Sequence, residues 1–345
     1  MWGDRAQYIV LPMADGGEGT VAAFIAAGAR AVPVRVHDAL GGEVDATYAR
    51  DGATAIVEMA AASGLAPLGD RRAPCMASTA GTGELVRAAL DAGAERIVLG
   101  IGGSATTDGG AGALAALGAR FLDAAGTALE PVPAALASLA GIDLGALDPR
   151  LATTPIDIAS DVDNPLLGPR GAAAVYGPQK GASAADVAFL DAFLTRFAAV
   201  AAAASGRDLR TLPGSGAAGG LGYGLATFAA ARLRRGVDII ADVRGLSEAL
   251  GDAAACFTGE GSIDAQTLDG KVVAGVAERA RIARVPVIAL CGRVEPAVEA
   301  RLWQRGVTCV PVADGPRDLA SSLLAGSALI RAAASRCARL RPLPA

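Results

Sequence analysis

The chain has 345 residues, a formal net charge of −4, 52% hydrophobic residues and only 4% aromatics. Such a composition excludes a disordered chain and a binder that stacks bases on aromatic platforms, and an acidic chain has no general attraction to nucleic acid or anionic lipid. The size admits one large or two medium domains whose cores need no disulfide or metal staple.

In chain order, an apolar β-branched run predicts a strand over 8–11, followed by a helix over 20–27. Three strand-like runs come next, over 32–37, 43–49 and 54–59. Turn chemistry at Leu40-Gly41-Gly42 and Arg50-Asp51-Gly52-Ala53 separates them, so they form an antiparallel meander. Beyond it the pattern alternates. Helices are expected over 83–92, 110–117, 184–204, 217–233, 266–283, 295–305 and 317–338. Strands are expected over 96–100, 155–159, 237–241 and 285–290. The stretch 131–150 is expected to form a short helix and loop. Alternation of this kind gives an α/β fold with a mostly parallel sheet, and the meander marks a second domain opening near residue 32.

The five cysteines (Cys75, Cys256, Cys291, Cys309, Cys337) are odd in number and form no C-x-x-C. They read as reduced residues of a cytoplasmic protein. His37 is the only histidine and follows an apolar run, so a structural role is expected for it. Its solitude nearly excludes His-ligated metal clusters and a Ser-His-Asp triad. The N-terminus has no signal-peptide core, and apolar runs such as 197–204 are too short to span a bilayer.

The glycines gather with acids and hydroxyls at strand ends. Asp15, Gly16, Gly17, Glu18 and Gly19 precede a helix whose N-terminus favours an anion, while Asp15 and Glu18 suit a hydroxyl or hydrated Mg2+. The run 100–110 carries Gly102, Gly103, Ser104, Thr106, Thr107 and Asp108 between a strand and a helix, as a phosphate-binding loop does. Gly100, Gly102 and Ala105 also fit the dinucleotide fingerprint G-x-G-x-x-A, with Asp123 at the distance of a ribose acid. Asp161, Asp163 and Asn164 follow a strand, where paired carboxylates hold Mg2+ or take a proton from a hydroxyl. The chain's only lysines, Lys180 and Lys271, lie in two further glycine-bearing runs. One is 177–181. The other contains Gly259, Gly261, Asp264 and Gly270. A compact ammonium suits phosphate. These parts are the ones phosphoryl transfer needs, yet no Walker motif is present and no H-R-D occurs.

Together the segments PMADGGEGT (12–20), EMAAASGL (58–65), STAGTGELVRAALDAGA (78–94), LGIGGSATTDGGAGALAALGA (99–119), SDVDNPLLGPRGAAAVYGPQKGA (160–182), PGSGAAGGLG (213–222), TGEGSIDAQTLDGK (258–271) and VPVIALCG (285–292) resemble the bacterial glycerate kinase family, the class without a P-loop. The resemblance implies ATP and Mg2+ as cosubstrate and cofactor, phosphorylation of the 2-hydroxyl more than the 3-hydroxyl, and two α/β domains with the site in the cleft between them. A flavodoxin-like domain would comprise 1–31 and 236–345. An inserted α/β domain with the meander would comprise 32–235. Placed on family-like segments, Asp161, Asp264 and Lys271 are the candidate catalytic residues. Gly102, Gly103, Ser104, Thr106, Lys180, Gly259 and Gly261 are candidates for nucleotide binding, Asp15, Glu18 and Asn164 for glycerate, and Asp161 and Asp163 for the metal. Family members open with a strand-helix unit, ending in an Asp-Ser-Phe-Lys-like motif, of about 25–30 residues. This chain is expected to lack it, which would bare strand edges and apolar surface. The alternatives are an NAD-dependent hydroxy-acid oxidoreductase using the Gly100 loop and an inactive ligand-binding remnant. The expected partners are small molecules, not nucleic acid or membrane, and a homodimer is left open.

Overall fold

The computed structural model describes residues 6–268 and 271–340, which leaves Gly270, Pro342 and Pro344 outside the described residues. The chain divides into two compact units. The larger runs from Gly16 to Ile239, and the smaller combines the stretch up to Asp15 with everything from Ile240 onward. The sequence reading put the first boundary at 31/32. By contact, residues 16–31 group with the larger unit, because the helix Thr20–Ala26 buries Val21 and Phe24 and packs on the meander strands.

The larger unit is built on a six-stranded mixed sheet. In chain order its strands are β1 (Arg30–His37), β2 (Glu43–Asp51), β3 (Thr54–Glu58), β4 (Arg96–Gly100), β7 (Ile156–Ala159) and β8 (Ala231–Arg234). Between β4 and β7 the chain forms a separate antiparallel pair, β5 (Arg120–Leu122) and β6 (Gly141–Asp143). The sheet order is β1-β2-β3-β4-β7-β8, antiparallel across β1, β2 and β3 and parallel from β3 onward. β4 and β7 are almost wholly buried, and apart from Arg96 at the start of β4 and Asp157 inside β7 their residues are apolar or glycine. Ile97, Leu99, Ile156 and Ile158 point into one core with Leu190, Leu194 and Phe197 of the helix Ala184–Ser205. That helix has 22 residues and is apolar enough to cross a membrane by length and composition, which exceeds the sequence estimate. In this fold its apolar face fills the core, where Phe197 meets Phe121, Phe193 and Tyr223.

The smaller unit has a parallel three-stranded sheet, β9 (Cys256–Ile263), β10 (Val287–Val294) and β11 (Val307–Pro311), in the order β11-β10-β9. Val287, Ala289 and Val307 join Val276 and Ala280 of the helix Val272–Ala283 and Leu302 of the helix Pro296–Trp303 in its core.

The meander and the strands at 96–100 and 155–159 form as the sequence predicts. Other elements differ. The stretches 266–283 and 317–338 each hold two helices, Ala265–Leu268 with Val272–Ala283 and Leu319–Leu324 with Gly326–Leu340. Residues 8–11 form no strand, and Tyr8, Ile9 and Val10 are exposed. The run 237–241 is part of the helix Gly236–Val243, where Val237, Ile239, Ile240 and Ala241 are all buried. The helix expected over 217–233 breaks into a 3-10 turn (Ala217–Gly220), a helix (Leu221–Phe228) and β8. The arginines of β8 are drawn into the sheet by the buried carboxylate of Asp157. The glycine run at 258–263 is not a loop but the body of β9.

Candidate active site

Three glycine-bearing stretches of the larger unit meet at the carboxyl ends of β3, β4 and β7, the usual place for ligand chemistry in a parallel sheet. The loop before the helix Thr20–Ala26 lies across these ends. Gly16 packs backbone-close against Gly100 and Ala159, leaving no room for a Cβ on Gly16 or on Gly100. Gly102 faces Gly17, and the Glu18 carboxylate occupies the space where a Gly103 side chain would stand. Gly103 also has φ +69°, a left-handed backbone that favours glycine.

The helix N-terminus that the sequence offers to a ligand anion is already taken by the protein. Glu58, the last residue of β3, accepts the Val21 amide at 2.7 Å, and the amides of Gly19 and Thr20 also act on its carboxylate. Burial nevertheless raises the Glu58 pKa. Glu58 was not among the candidate residues. The signal lay in a carboxylate ending a strand directly ahead of a helical turn.

The loop 100–110 is held from within. Asp108 is fully buried and accepts hydrogen bonds from Thr79 N (2.8 Å), Thr79 Oγ1 (2.7 Å), Gly110 N (3.1 Å) and Gly112 N (3.0 Å). Burial pushes its carboxyl pKa up against these bonds. Ser104 is buried and bridges Gly64, and Thr106 is fully buried. Lys180 is 1% exposed and donates to the Thr106 carbonyl at 2.6 Å, so it supports the loop from beneath and does not face solvent. Asp123, the candidate ribose acid, accepts the amides of Ala125 and Thr127 in a turn after β5. Among the described residues β5 forms a two-stranded sheet with β6, so Asp123 is not at the end of a strand in the main sheet, and the dinucleotide reading loses its acid.

After β7 the chain presents Asp161 and Asp163 to solvent. Asp161 Oδ1 accepts the Gly236 amide at 3.0 Å, which fixes one oxygen of the carboxylate at the strand end. Asp163 pairs with Arg170 at 3.1 Å. Asn164 ties the loop down. It donates to the Arg170 carbonyl (2.8 Å), accepts from the Tyr176 hydroxyl (2.6 Å), and its carbonyl accepts Gly216 N (2.9 Å). Below the loop, Asp157 is wholly buried against Arg96 and Arg232, and these pairs hold its carboxyl below the usual range despite burial.

In the smaller unit the polar residues collect at the carboxyl ends of β9 and β10. Gly259 lies in β9 opposite Leu290, whose carbonyl leaves no space for a Cβ there, while Gly261 faces open space. Asp264 begins the short helix Ala265–Leu268 and accepts the Gln266 amide at 3.0 Å. Glu260, also unanticipated, accepts the Thr267 hydroxyl at 2.8 Å. Lys271 precedes the helix Val272–Ala283 and donates to Gln266 Oε1 at 2.8 Å. Arg293 reaches Ser262 Oγ and Glu295 at 3.4 Å each, contacts long and exposed enough to leave its guanidinium available. The structure thus brings Glu18, Gly102 and Gly103 together, sets Thr106 on Lys180, and keeps Gly259, Gly261, Asp264 and Lys271 in the other unit. Asp15 is the last residue of that unit's N-terminal stretch.

The family model described as the glycerate kinase family matches residues 2–341. The chain is 48% identical over 307 residues to a glycerate kinase of Bacillus subtilis, covering 88% of this chain and 80% of that protein. It is 45% identical over 309 residues to the glycerate 2-kinase of Escherichia coli, with coverages of 88% and 81%. A crystal structure assigned provisionally to glycerate kinase 2 of Salmonella typhimurium LT2 superposes with a TM-score of 0.84 at 42% identity, over 98% of this chain and 91% of that one. With its strand-end loops, its mixed α/β architecture and a match that runs nearly from end to end, this chain belongs to the glycerate kinase family.

Proposed function

We propose that this protein is a cytoplasmic kinase that transfers the γ-phosphoryl group of MgATP to the 2-hydroxyl of glycerate. The observation that carries the reading is the family match over nearly the whole chain, with a relative named glycerate 2-kinase among the proteins it resembles.

Asp161 is the acceptor-hydroxyl base. Its exposed carboxylate is oriented by the Gly236 amide, and general-base catalysis needs a positioned carboxylate within reach of the hydroxyl proton. As the proton passes to Asp161, the glycerate oxygen forms its bond to the γ-phosphorus and the bond to the bridging oxygen of ADP breaks. Asp264 is the alternative base; one of its oxygens accepts the Gln266 amide and the other the Ser262 hydroxyl at 3.4 Å. Glycerate is received by Asp15 and Glu18, with Asn164 acting through the shape of its loop. Backbone amides of Gly102, Gly103 and Ser104 are the larger unit's candidates to cradle nucleotide phosphates; Gly259 and Gly261 along β9 are the smaller unit's, and Gly261 leaves space for close approach. Lys271 and Arg293 supply positive charge for the phosphoryl oxygens.

The donor set fits magnesium in a particular form. Among the described residues no three His, Cys, Asp or Glu side chains gather as a cage, but Asp161 and Asp163 are hard oxygen donors at one strand end. Mg2+ is commonly held by one or two carboxylates with waters and substrate phosphates completing its shell. When bound there, the ion would neutralise phosphate charge.

The test is proton-coupled 31P NMR of a reaction containing the protein, MgATP and D-glycerate. A phosphate monoester split into a doublet by one carbon-bound proton is expected for the 2-position. A triplet would move the reaction to the 3-hydroxyl, and no new ester from folded protein would refute the kinase reading.

A further inference from the structure

The kinase reading leaves one buried lysine unexplained. Lys180 ends the 3-10 turn Pro178–Lys180, and its ammonium reaches the carbonyl of Thr106, 74 residues earlier, in the middle of the loop 100–110. Burying an ammonium costs free energy unless it is paired and hydrogen-bonded. Burial pushes the Lys180 pKa down to about 7, with the Asp108 carboxylate pulling the other way.

The loop's own side chains do little to fix its centre. The hydroxyls of Thr106 and Thr107 are buried and have no hydrogen-bond partner among the described residues. The fixed points are instead the Lys180 amine on one side and the Asp108 carboxyl group on the other. Lys180 holds the Thr106 carbonyl. Asp108 gathers the amides of Thr79, Gly110 and Gly112. Gly219 adds a third point by accepting the Gly109 amide at 2.9 Å, and it packs so closely on Thr106 and Thr107 that no Cβ fits.

We infer that Lys180 is a positioning residue: by holding the Thr106 carbonyl from beneath, it sets the backbone of the loop 100–110 in the shape that receives nucleotide phosphates, without touching the nucleotide itself. This rests on the kinase reading above. It differs from direct phosphate neutralisation, which would need an ammonium open to the ligand. A buried hydrogen-bond donor that fixes a loop acts on the ligand bound by that loop and leaves the other substrate's affinity alone.

The experiment compares wild type with Lys180→Met, which keeps an apolar stem and removes the donor. It uses two readouts: KM for ATP and for glycerate, and amide hydrogen exchange across 100–110. The expected result is a KM for ATP raised roughly tenfold or more, a KM for glycerate within twofold, and exchange in 100–110 accelerated more than in β4 and β7. Equal changes in both KM values, or unchanged kinetics with a lowered Tm, would overturn the inference by showing a merely structural lysine. Unaltered exchange in the loop would overturn it as well. Should Lys180→Met fail to fold, Lys180→Leu, which also removes the donor, is read by the same criteria. If wild type itself shows no phosphoryl transfer, the kinase reading fails, and the exchange comparison still decides whether Lys180 holds the loop.

Discussion

The carboxyl end of the larger unit's sheet and that of the smaller unit's sheet are built in opposite ways. In the larger unit the glycine loops are packed backbone on backbone and satisfied by the protein's own groups: Glu58 at the helix N-terminus, Asp108 under four donors, Lys180 under Thr106. In the smaller unit the corresponding strand ends carry Lys271, Arg293 and Asp264 on the surface or half-buried, with contacts of 2.8 to 3.4 Å to neighbours such as Gln266 and Ser262. Glycine density therefore marks where backbone must approach backbone, and need not mark where charge meets ligand. In the larger unit the exposed carboxylates lie just past the glycines, at Asp161 and Asp163.

The comparison can be broken first at its open end. Replacing Lys271 by alanine removes charge without emptying the core, so kcat is expected to fall roughly 10²-fold or more with Tm nearly unchanged. A few-fold effect in steady-state kinetics would take Lys271 out of the chemistry. The closed end responds differently. Gly219 has φ +67° and its added Cβ would lie 2.5 Å from the Thr107 Cα, so Gly219→Ala combines a left-handed backbone with overlap against main chain. It should cost about 3 kcal/mol by urea unfolding. A loss below 1 kcal/mol would mean the loop is free to move.

A subtler effect sharpens the same contrast. Lys180 has a pKa of about 7 in the fold, against 10.5 for the ordinary side chain. Between these values the unfolded chain holds the proton and the native one does not. Lys180 therefore makes stability rise with pH across that window and fall as pH drops toward 7, by about 1.4 kcal/mol per pH unit at most. Wild-type minus Lys180→Met stability, measured at pH 7, 8 and 9, should climb. A flat difference would show a lysine that water reaches. The smallest effect is on the surface. His37 Nδ1 meets Glu84 Oε1 at 2.7 Å, and this hydrogen bond raises its pKa. The pair's contribution is present below the ordinary pKa and is lost as pH rises through the raised value. Because His37 is the only histidine, one NMR titration reads it directly. Glu84→Gln should bring it back toward 6.5, and an unmoved titration would mean the pair does not form in solution.

Much of this was legible in the sequence, for reasons that can be named. The meander showed because Gly41 and Gly52 punctuate runs of β-branched residues, and β4 showed because a strand buried on both faces carries an unbroken apolar run. The helix Gly236–Val243 was hidden because five apolar residues in a short window fit a buried strand as well as a buried helix. β9 was hidden by its glycines: Gly259 is needed there for close pairing with Leu290, a tertiary demand that no local pattern displays. Asp161 and Asp163 were legible as paired acids after a strand. The contributions of Glu260 and Arg293 were not, because each depends on a partner brought near only by the fold: Thr267 and Ser262.

The most direct measurement sets one carboxylate from the open end against one from inside the loop: kcat and Tm of Asp161→Asn beside those of Asp108→Asn, with MgATP and D-glycerate below both melting points. The account predicts that Asp161→Asn loses roughly 10²-fold or more in kcat at nearly wild-type Tm. Asp108→Asn, with its buried acceptor weakened, should lose several degrees of Tm and keep most of its turnover. The reverse pattern, with Asp161→Asn active and Asp108→Asn stable but dead, would contradict it.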